Sequence, residues 1–332
     1  MKALVTGSNG FIGSHLAEAL ARRGDEVFCL VRKTSRTDAL AGLNVRLVVG
    51  DGRDKESLRP AVRGMDCVFH LAGVINAVDW PTYFEANTLG TQNLIEACLE
   101  ENPRLRKFVF ISSISALGPS PCGKALGEED ECRPVSDYGR SKLLAEKVVL
   151  GLADRLPVTI IRPSNIIGPR QKELFESIKL LAKRINPLIG TGEPQTSLAS
   201  VDDLVRAFIL AADSPKSRGQ IYLVTDGQAY AWRDITEAVA EALGPRRLYL
   251  KVPYAVQYAV AAVAELGARF RKTPPLLTRS NIRATQKYCW IYDGSKIERE
   301  LGFKPALDMK ETVRRTVEWY RKEGLKKSGK EI

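Results

Sequence analysis

The opening stretch constrains the fold more than any other part of the chain. In "MKALVTGSNGFIGSHLAEALARRGDEVFCLVRKTS" three glycines, Gly7, Gly10 and Gly13, separate a continuous apolar run from an amphipathic one. Lys2–Thr6 reads as a strand covered on both faces, Ser14–Arg23 as a helix and Glu26–Val31 as the next strand. Glycine lacks Cβ, so its backbone turns tightly and admits close neighbours. A helix that starts just after such a turn aims its free N–H groups and positive dipole end at whatever lies above the glycines. A diphosphate satisfies both. Glycines also make ordinary turns, but placement between the first strand and the first helix selects the ligand-binding reading. The turn residues Gly7, Asn9, Gly10, Phe11, Ile12 and Gly13 are therefore the first candidate cofactor contacts.

The pattern repeats. Val45–Val49, Asp66–Leu71, Lys107–Ser112 and Val158–Arg162 read as strands, and Tyr83–Glu101 and Tyr138–Leu152 as helices. Alternating apolar strands and helices predict an α/β, Rossmann-type, doubly wound parallel sheet. After Pro163 the pattern loosens: Gly, Pro and polar residues gather around 186–197, and helical stretches recur at 201–212, 232–243, 254–271 and 308–322. The expected division is a dinucleotide-binding domain over 1–162, rejoined by 200–225, and a smaller substrate lobe over 163–199 and 226–325.

Composition excludes several classes. The 332 residues carry a formal net charge of +11, but cations and anions are interleaved, and no nucleic-acid-binding motif is present. His15 and His70 are the only histidines, which disfavours a histidine zinc site or a serine–histidine triad. The most apolar stretch, 252–270, contains Gln257 and Glu265; it is read as a buried or partner-facing helix rather than a stable membrane span, with a membrane-surface helix as the minor alternative. The first strand begins at the first residue, so a cytoplasmic protein without signal peptide is expected. Six cysteines occur without a CxxC pair. A Cys122–Cys132 disulfide is the pairing weighed, but reduced thiols are the favoured expectation.

The run "TGSNGFIG" resembles the extended short-chain dehydrogenase/reductase family, the group of sugar-nucleotide epimerases and dehydratases, dihydroflavonol-type reductases and 3β-hydroxysteroid dehydrogenase-like enzymes. Further matching motifs follow in order: "GDGRD" (50–54), "HLAG" (70–73), "NTLGT" (87–91), "FISSISALG" (110–118), "YGRSK" (138–142), "RPSNIIGP" (162–169) and "VDDL" (201–204). The resemblance implies that Asp51 and Gly52 lie near an adenine. It also implies that Leu71, Ala72 and Gly73 line the cofactor cleft, and that Pro163, Ser164 and Asn165 border nicotinamide and substrate. A homodimer built from helices near 88–101 and 138–152 is expected by the same analogy.

NAD-preferring members hold the adenosine ribose with an acidic residue at the end of the second strand. Here that position is Val31, followed by Arg32 and Lys33. Nothing there repels a 2′-phosphate and two cations can attract one, so NADP(H) is favoured over NAD(H). Two solvated loop charges are the competing reading.

Tyr138 and Lys142 are four residues apart and share a helix face. A tyrosine that moves a proton benefits from a lowered pKa, which a nearby ammonium would provide. The resemblance makes Tyr138 the acid/base and gives Lys142 a second role on the nicotinamide ribose. It makes Ser113 the group that orients the reacting oxygen, with Ser115 near the substrate; Ser112 is then structural.

For the substrate, Asn165 matches an asparagine that sugar-nucleotide members use. Yet Thr196 stands where those enzymes carry the arginine that grips a diphosphate, and Ser200 replaces a histidine. Arg170, Arg279, Arg283 or Lys287 are the candidate substitutes. The leading expectation is an NAD(P)-dependent oxidoreductase acting on a secondary alcohol or ketone, apolar or sugar-like. The alternative is a sugar-nucleotide epimerase or dehydratase with tightly bound NAD, and the third a non-catalytic NADP-binding sensor.

Overall fold

The computed structural model describes residues 1–171, 185–189, 194–244, 248–271, 279, 282 and 288–324. In chain order the strands are β1 (Lys2–Thr6), β2 (Glu26–Val31), β3 (Arg46–Val49), β4 (Cys67–His70), β5 (Lys107–Ile111), β6 (Val158–Pro163), β7 (Asn165–Ile167), β8 (Ile185–Ile189), β9 (Gln195–Ser200), β10 (Gln220–Val224), β11 (Ala229–Ala231) and β12 (Leu248–Val252). The helices are α1 (Phe11–Arg22), α2 (Lys55–Val62), α3 (Trp80–Tyr83), α4 (Gly90–Glu101), α5 (Ile114–Leu117), α6 (Asp137–Leu150), α7 (Val201–Asp213), α8 (Trp232–Leu243), α9 (Tyr254–Arg271), α10 (Ser295–Leu301) and α11 (Met309–Trp319).

Seven strands form one parallel sheet in the order β10-β6-β5-β4-β1-β2-β3. Alternation along β1 explains its unbroken apolar run. Ala3 and Val5 face α1 and α7, where Leu16, Leu20, Leu204 and Phe208 complete one core. Leu4 faces the opposite layer, packed with Leu58 of α2, Leu94 of α4 and Val149 of α6. The strand order reverses between β1 and β4, and the crevice outside their carboxyl ends is where such sheets bind ligands.

Smaller elements cover that carboxyl edge. β9 pairs with β7 in parallel and with β11 in antiparallel register, while β8 and β12 form a separate parallel pair. α8 and α11 pack through Ile235, Val239, Val313 and Val317. The backbone at 289–292 bridges these parts: Cys289 pairs with Ser120, Trp290 with Thr196 and Tyr292 with Leu126.

Three expectations change. α2 is an unanticipated helix, capped by Asp54, whose side chain accepts from the amides of Glu56 and Ser57. The stretch Tyr83–Glu101 is not one α-helix, because Phe84–Leu89 forms a π-helical turn ahead of α4. Most consequential, Cys122 is neither reduced nor bonded to Cys132: it forms a disulfide with Cys289, 167 residues away, with Cα atoms 5.2 Å apart. The Ser120–Cys289 backbone bridge brings the two together, whereas the Cys132 sulfur accepts from Arg162 Nη2 at 3.3 Å.

Candidate active site

The glycine turn is dictated by contact. Gly7 has φ +67°, and a Cβ on it would lie 2.7 Å from the Ala72 nitrogen. A Cβ on Gly13 would lie 2.1 Å from the Gly7 carbonyl oxygen, and one on Gly10 3.1 Å from the same atom. Thr6 pins the far wall, its hydroxyl oxygen accepting from the amides of Leu71 (3.2 Å) and Ala72 (3.0 Å). α1 then begins with Gly10 as its N-cap and no side chain capping its first amides. A bare helix terminus above a Cβ-free turn fits a diphosphate. Asn9 donates to the Arg36 carbonyl at 3.1 Å, tying the turn to the loop after β2. The Phe11 ring meets His15 edge-on at 5.9 Å and Ile12 packs on the core, so both would meet a cofactor through their backbone. At Gly73 an added Cβ would come within 2.8 Å of Asn87 Oδ1.

At the end of β2, exposed Arg32 and Lys33 line an open cavity of about 410 Å³ together with Gly50, Asp51, Arg53 and Ser57. Arg53 is a residue the sequence reading missed. It grips Asp51 through Nε (3.2 Å) and Nη2 (2.8 Å), and holds that carboxyl below its ordinary range. Gly52 packs against Gly90 and its carbonyl accepts from Asn93 at 2.8 Å. These three cations and one engaged carboxylate fit an anionic group at the cavity.

Next along the edge, β5 ends and α5 starts. Ser113 is the N-cap of α5, its hydroxyl oxygen accepting from the Ser115 amide at 3.0 Å. α6 packs close because Gly139 has no Cβ, which would lie 2.1 Å from the Ser115 carbonyl oxygen. This approach brings the half-buried Tyr138 side chain close to Ser113. Tyr83 stands beside it, ring centroids 6.4 Å apart, with its own hydroxyl donating to the Ile75 carbonyl at 3.0 Å. Lys142, one turn on, is 3% exposed. Burial pulls its ammonium down to about 7, partly countered by Glu146. Burial also pushes the Tyr138 phenol up to about 12, with Ser113 opposing. The lowered tyrosine pKa expected from the i, i+4 lysine is not seen, because loss of hydration dominates.

Buried hydrogen bonds hold this constellation. Asn87 receives the Val74 amide (2.7 Å) and donates to Ser141 Oγ (2.9 Å), which donates to the Tyr138 carbonyl (2.8 Å). Pro163 pairs with Val224, and the buried Ser164 hydroxyl has no partner among the described residues. Asn165 donates to the Thr196 hydroxyl at 2.6 Å, and Thr196 is 0% exposed. Ser200 caps α7 by accepting from the Asp203 amide. Of the candidate substitute cations, Arg170 is bound to Glu18 (2.5 Å) and Ser14 (3.2 Å), and Arg279 to Glu265 (2.6 Å). Arg283 and Lys287 lie outside the described residues.

Comparison with known proteins agrees with this geometry. The chain is 31% identical to sterol demethylase protein B of Methylococcus capsulatus, covering 98% of this chain and 100% of that one. It is 27% identical to 3β-hydroxysteroid-dehydrogenase/decarboxylase isoform 2 of Arabidopsis thaliana over 95% of its own length, but spans only 61% of that relative. The solved structure of DesIV, a dTDP-glucose 4,6-dehydratase from Streptomyces venezuelae with NAD and TYD bound, superposes with a TM-score of 0.79 at 25% identity, covering 97% of this chain and 98% of that one. A family profile matches residues 3–225, more than half of the chain. The chain belongs to the NAD-dependent epimerase/dehydratase family.

Proposed function

We propose that this chain is an NAD(P)-dependent oxidoreductase that passes a hydride between the nicotinamide and the carbon of a secondary alcohol or ketone. The observation that carries the reading is the convergence of Ser113, Tyr138 and Lys142 at the sheet's carboxyl edge. A bound nicotinamide supplies or accepts the hydride. Gly7, Asn9, Gly10, Phe11, Ile12 and Gly13 hold the diphosphate; Asp51, Gly52, Leu71, Ala72 and Gly73 line the cleft; Arg32 and Lys33 favour NADP(H). Pro163, Ser164 and Asn165 border the reaction site, and Lys142 also holds the nicotinamide ribose. The Ser113 oxygen accepts from the Ser115 amide, and its hydroxyl donates to the reacting oxygen when substrate is bound, with Ser115 nearby. Tyr138 is a neutral phenol at pH 7, which suits it to give a proton to the oxygen of a ketone being reduced. In the reverse direction the phenol must lose that proton, and the Lys142 charge favours this.

This reading favours a substrate without a nucleoside diphosphate. Thr196 is sealed in the interior and engages Asn165, so neither serves as the cationic clamp a diphosphate needs. The names of the sterol-acting relatives support an apolar alcohol or ketone. The dTDP-glucose dehydratase fold and the retained Asn165 favour the second reading, a sugar-nucleotide epimerase or dehydratase. A cytoplasmic homodimer built from α4 and α6 completes the proposal, and sedimentation velocity tests the dimer. The function is tested by NADPH consumption with a panel of apolar ketones, beside thermal shifts with UDP- and dTDP-sugars in the presence of cofactor. Net NADPH oxidation and no sugar-nucleotide stabilisation are expected. Selective stabilisation by one sugar nucleotide without net cofactor turnover promotes the second reading. Cofactor binding with neither result across both panels points to a sensor.

A further inference from the structure

His70, Phe110 and Lys142 form a column beneath α6. His70 of β4 and Phe110 of β5 are register partners, so their side chains share a face of the sheet. The rings stack with centroids 5.6 Å apart and planes 25° apart. Lys142 Nζ lies over the Phe110 ring, 4.3 Å from its centroid. Phe110 is 0%, His70 3% and Lys142 3% exposed. An ammonium is attracted to the negative face of an aromatic ring, more strongly where water is excluded.

The charge of the histidine follows from its hydrogen bonds. The Thr91 hydroxyl donates to the Asn87 carbonyl at 2.6 Å, so toward His70 Nε2, 2.9 Å away, it acts as acceptor. The Thr6 hydroxyl oxygen accepts two amides, and its single hydrogen points to His70 Nδ1 at 2.7 Å. The imidazole is thus neutral, protonated at Nε2. A protonated His70 would repel the ammonium held over the neighbouring ring; a neutral imidazole does not.

We propose that Phe110, backed by neutral His70, is a positioning residue that seats the Lys142 side chain and favours its charged form. The consequence for catalysis rests on the reading of Lys142 given above; the seat itself does not. Among the described residues, the other titratable and charged groups around the lysine are few. Tyr138 and Glu146 lie one turn away on either side along α6, and Tyr83 stands beyond Tyr138. Glu146 bonds Arg162 of β6 through both oxygens, at 2.9 and 2.7 Å, and so shares its charge between that guanidinium and Lys142. The ring joins Glu146 as a feature set against the burial of Lys142.

The test is an NMR titration of protein labelled with ¹³Cε-lysine, the Lys142 signal being assigned with Lys142→Met. It needs no turnover assay, so its outcome is separate from that of the catalytic reading. Phe110→Leu is expected to lower the Lys142 midpoint by roughly 0.5–1.5 pH units. Phe110→Tyr should leave it near the wild-type value. If Phe110→Leu does not fold, pentafluorophenylalanine at position 110 keeps the ring but reverses the charge of its face, and should lower the midpoint at least as far. An unchanged midpoint in folded Phe110→Leu or in the fluorinated protein overturns the proposal. So does a drop of equal size in Phe110→Tyr, which would trace the effect to packing.

Discussion

Mild acid should destabilise this protein through one buried ring. The perturbation is a change from pH 7 to pH 5, applied to wild type and to His70→Gln. Burial, reinforced by the Lys142 charge, holds the His70 imidazole down to about 3 in the folded chain. In the unfolded chain it titrates near ~6.5. Between those values the unfolded state binds the extra proton, so stability falls as pH falls through 6.5 and continues to fall toward 3. Each full unit is worth about 1.4 kcal/mol, and the first half-unit below pH 7 counts only in part; the interval from 7 to 5 comes to about 2 kcal/mol. Glutamine cannot protonate there. His15 is also lowered by burial and contributes with the same sign, but it is present in both proteins and cancels in the comparison. The assay is urea unfolding at both pH values with m compared. Wild type should lose about 2 kcal/mol more than His70→Gln. Equal losses, within about 0.5 kcal/mol, would refute a neutral, desolvated imidazole locked between Thr6 and Thr91.

Further outcomes are expected. Tyr138→Phe should leave cofactor affinity and unfolding unchanged while turnover, measured with any substrate found, falls by roughly 10²–10⁴-fold. Gly13→Ala drives a Cβ to 2.1 Å from the Gly7 oxygen; destabilisation of about 1–3 kcal/mol by urea unfolding, with weaker cofactor binding by calorimetry, should follow. Arg32→Ala should weaken NADP(H) binding and leave NAD(H) binding unchanged; the reverse pattern would remove the basis for the NADP preference.

The parts legible in the sequence are those whose physics is local. Gly7 and Gly13 stand in the turn because a Cβ there would strike backbone, and that requirement is visible as spacing. The strands announce themselves because helices cover both faces, so Ala3, Leu4 and Val5 are all buried. Tyr138 and Lys142 share a face by helical period alone. What escaped depends on distant partners. Thr6, His70 and Thr91 form one hydrogen-bonded chain although they come from a strand end, another strand end and a helix. Arg53 reads as one more surface cation until the fold sets it beside Arg32 and Asp51. β7 and β11 are three residues each, too short for a periodic signal. The direction of the Tyr138 shift was missed because pattern gives neighbours along a helix but not the depth at which they lie.

The Cys122–Cys289 bond makes a closed ring of everything between those two residues. α6, with Tyr138 and Lys142, and β6 through β12 all belong to that ring, while the glycine turn and Ser113 lie on the tail that precedes it. A single backbone cut at any peptide bond inside the ring leaves two pieces still joined through sulfur. A nicked molecule would therefore run as one band on a gel without reductant and as two with it. The tail that carries the glycine turn and the tail beyond Cys289 are tied at one covalent junction, however the ring between them is opened.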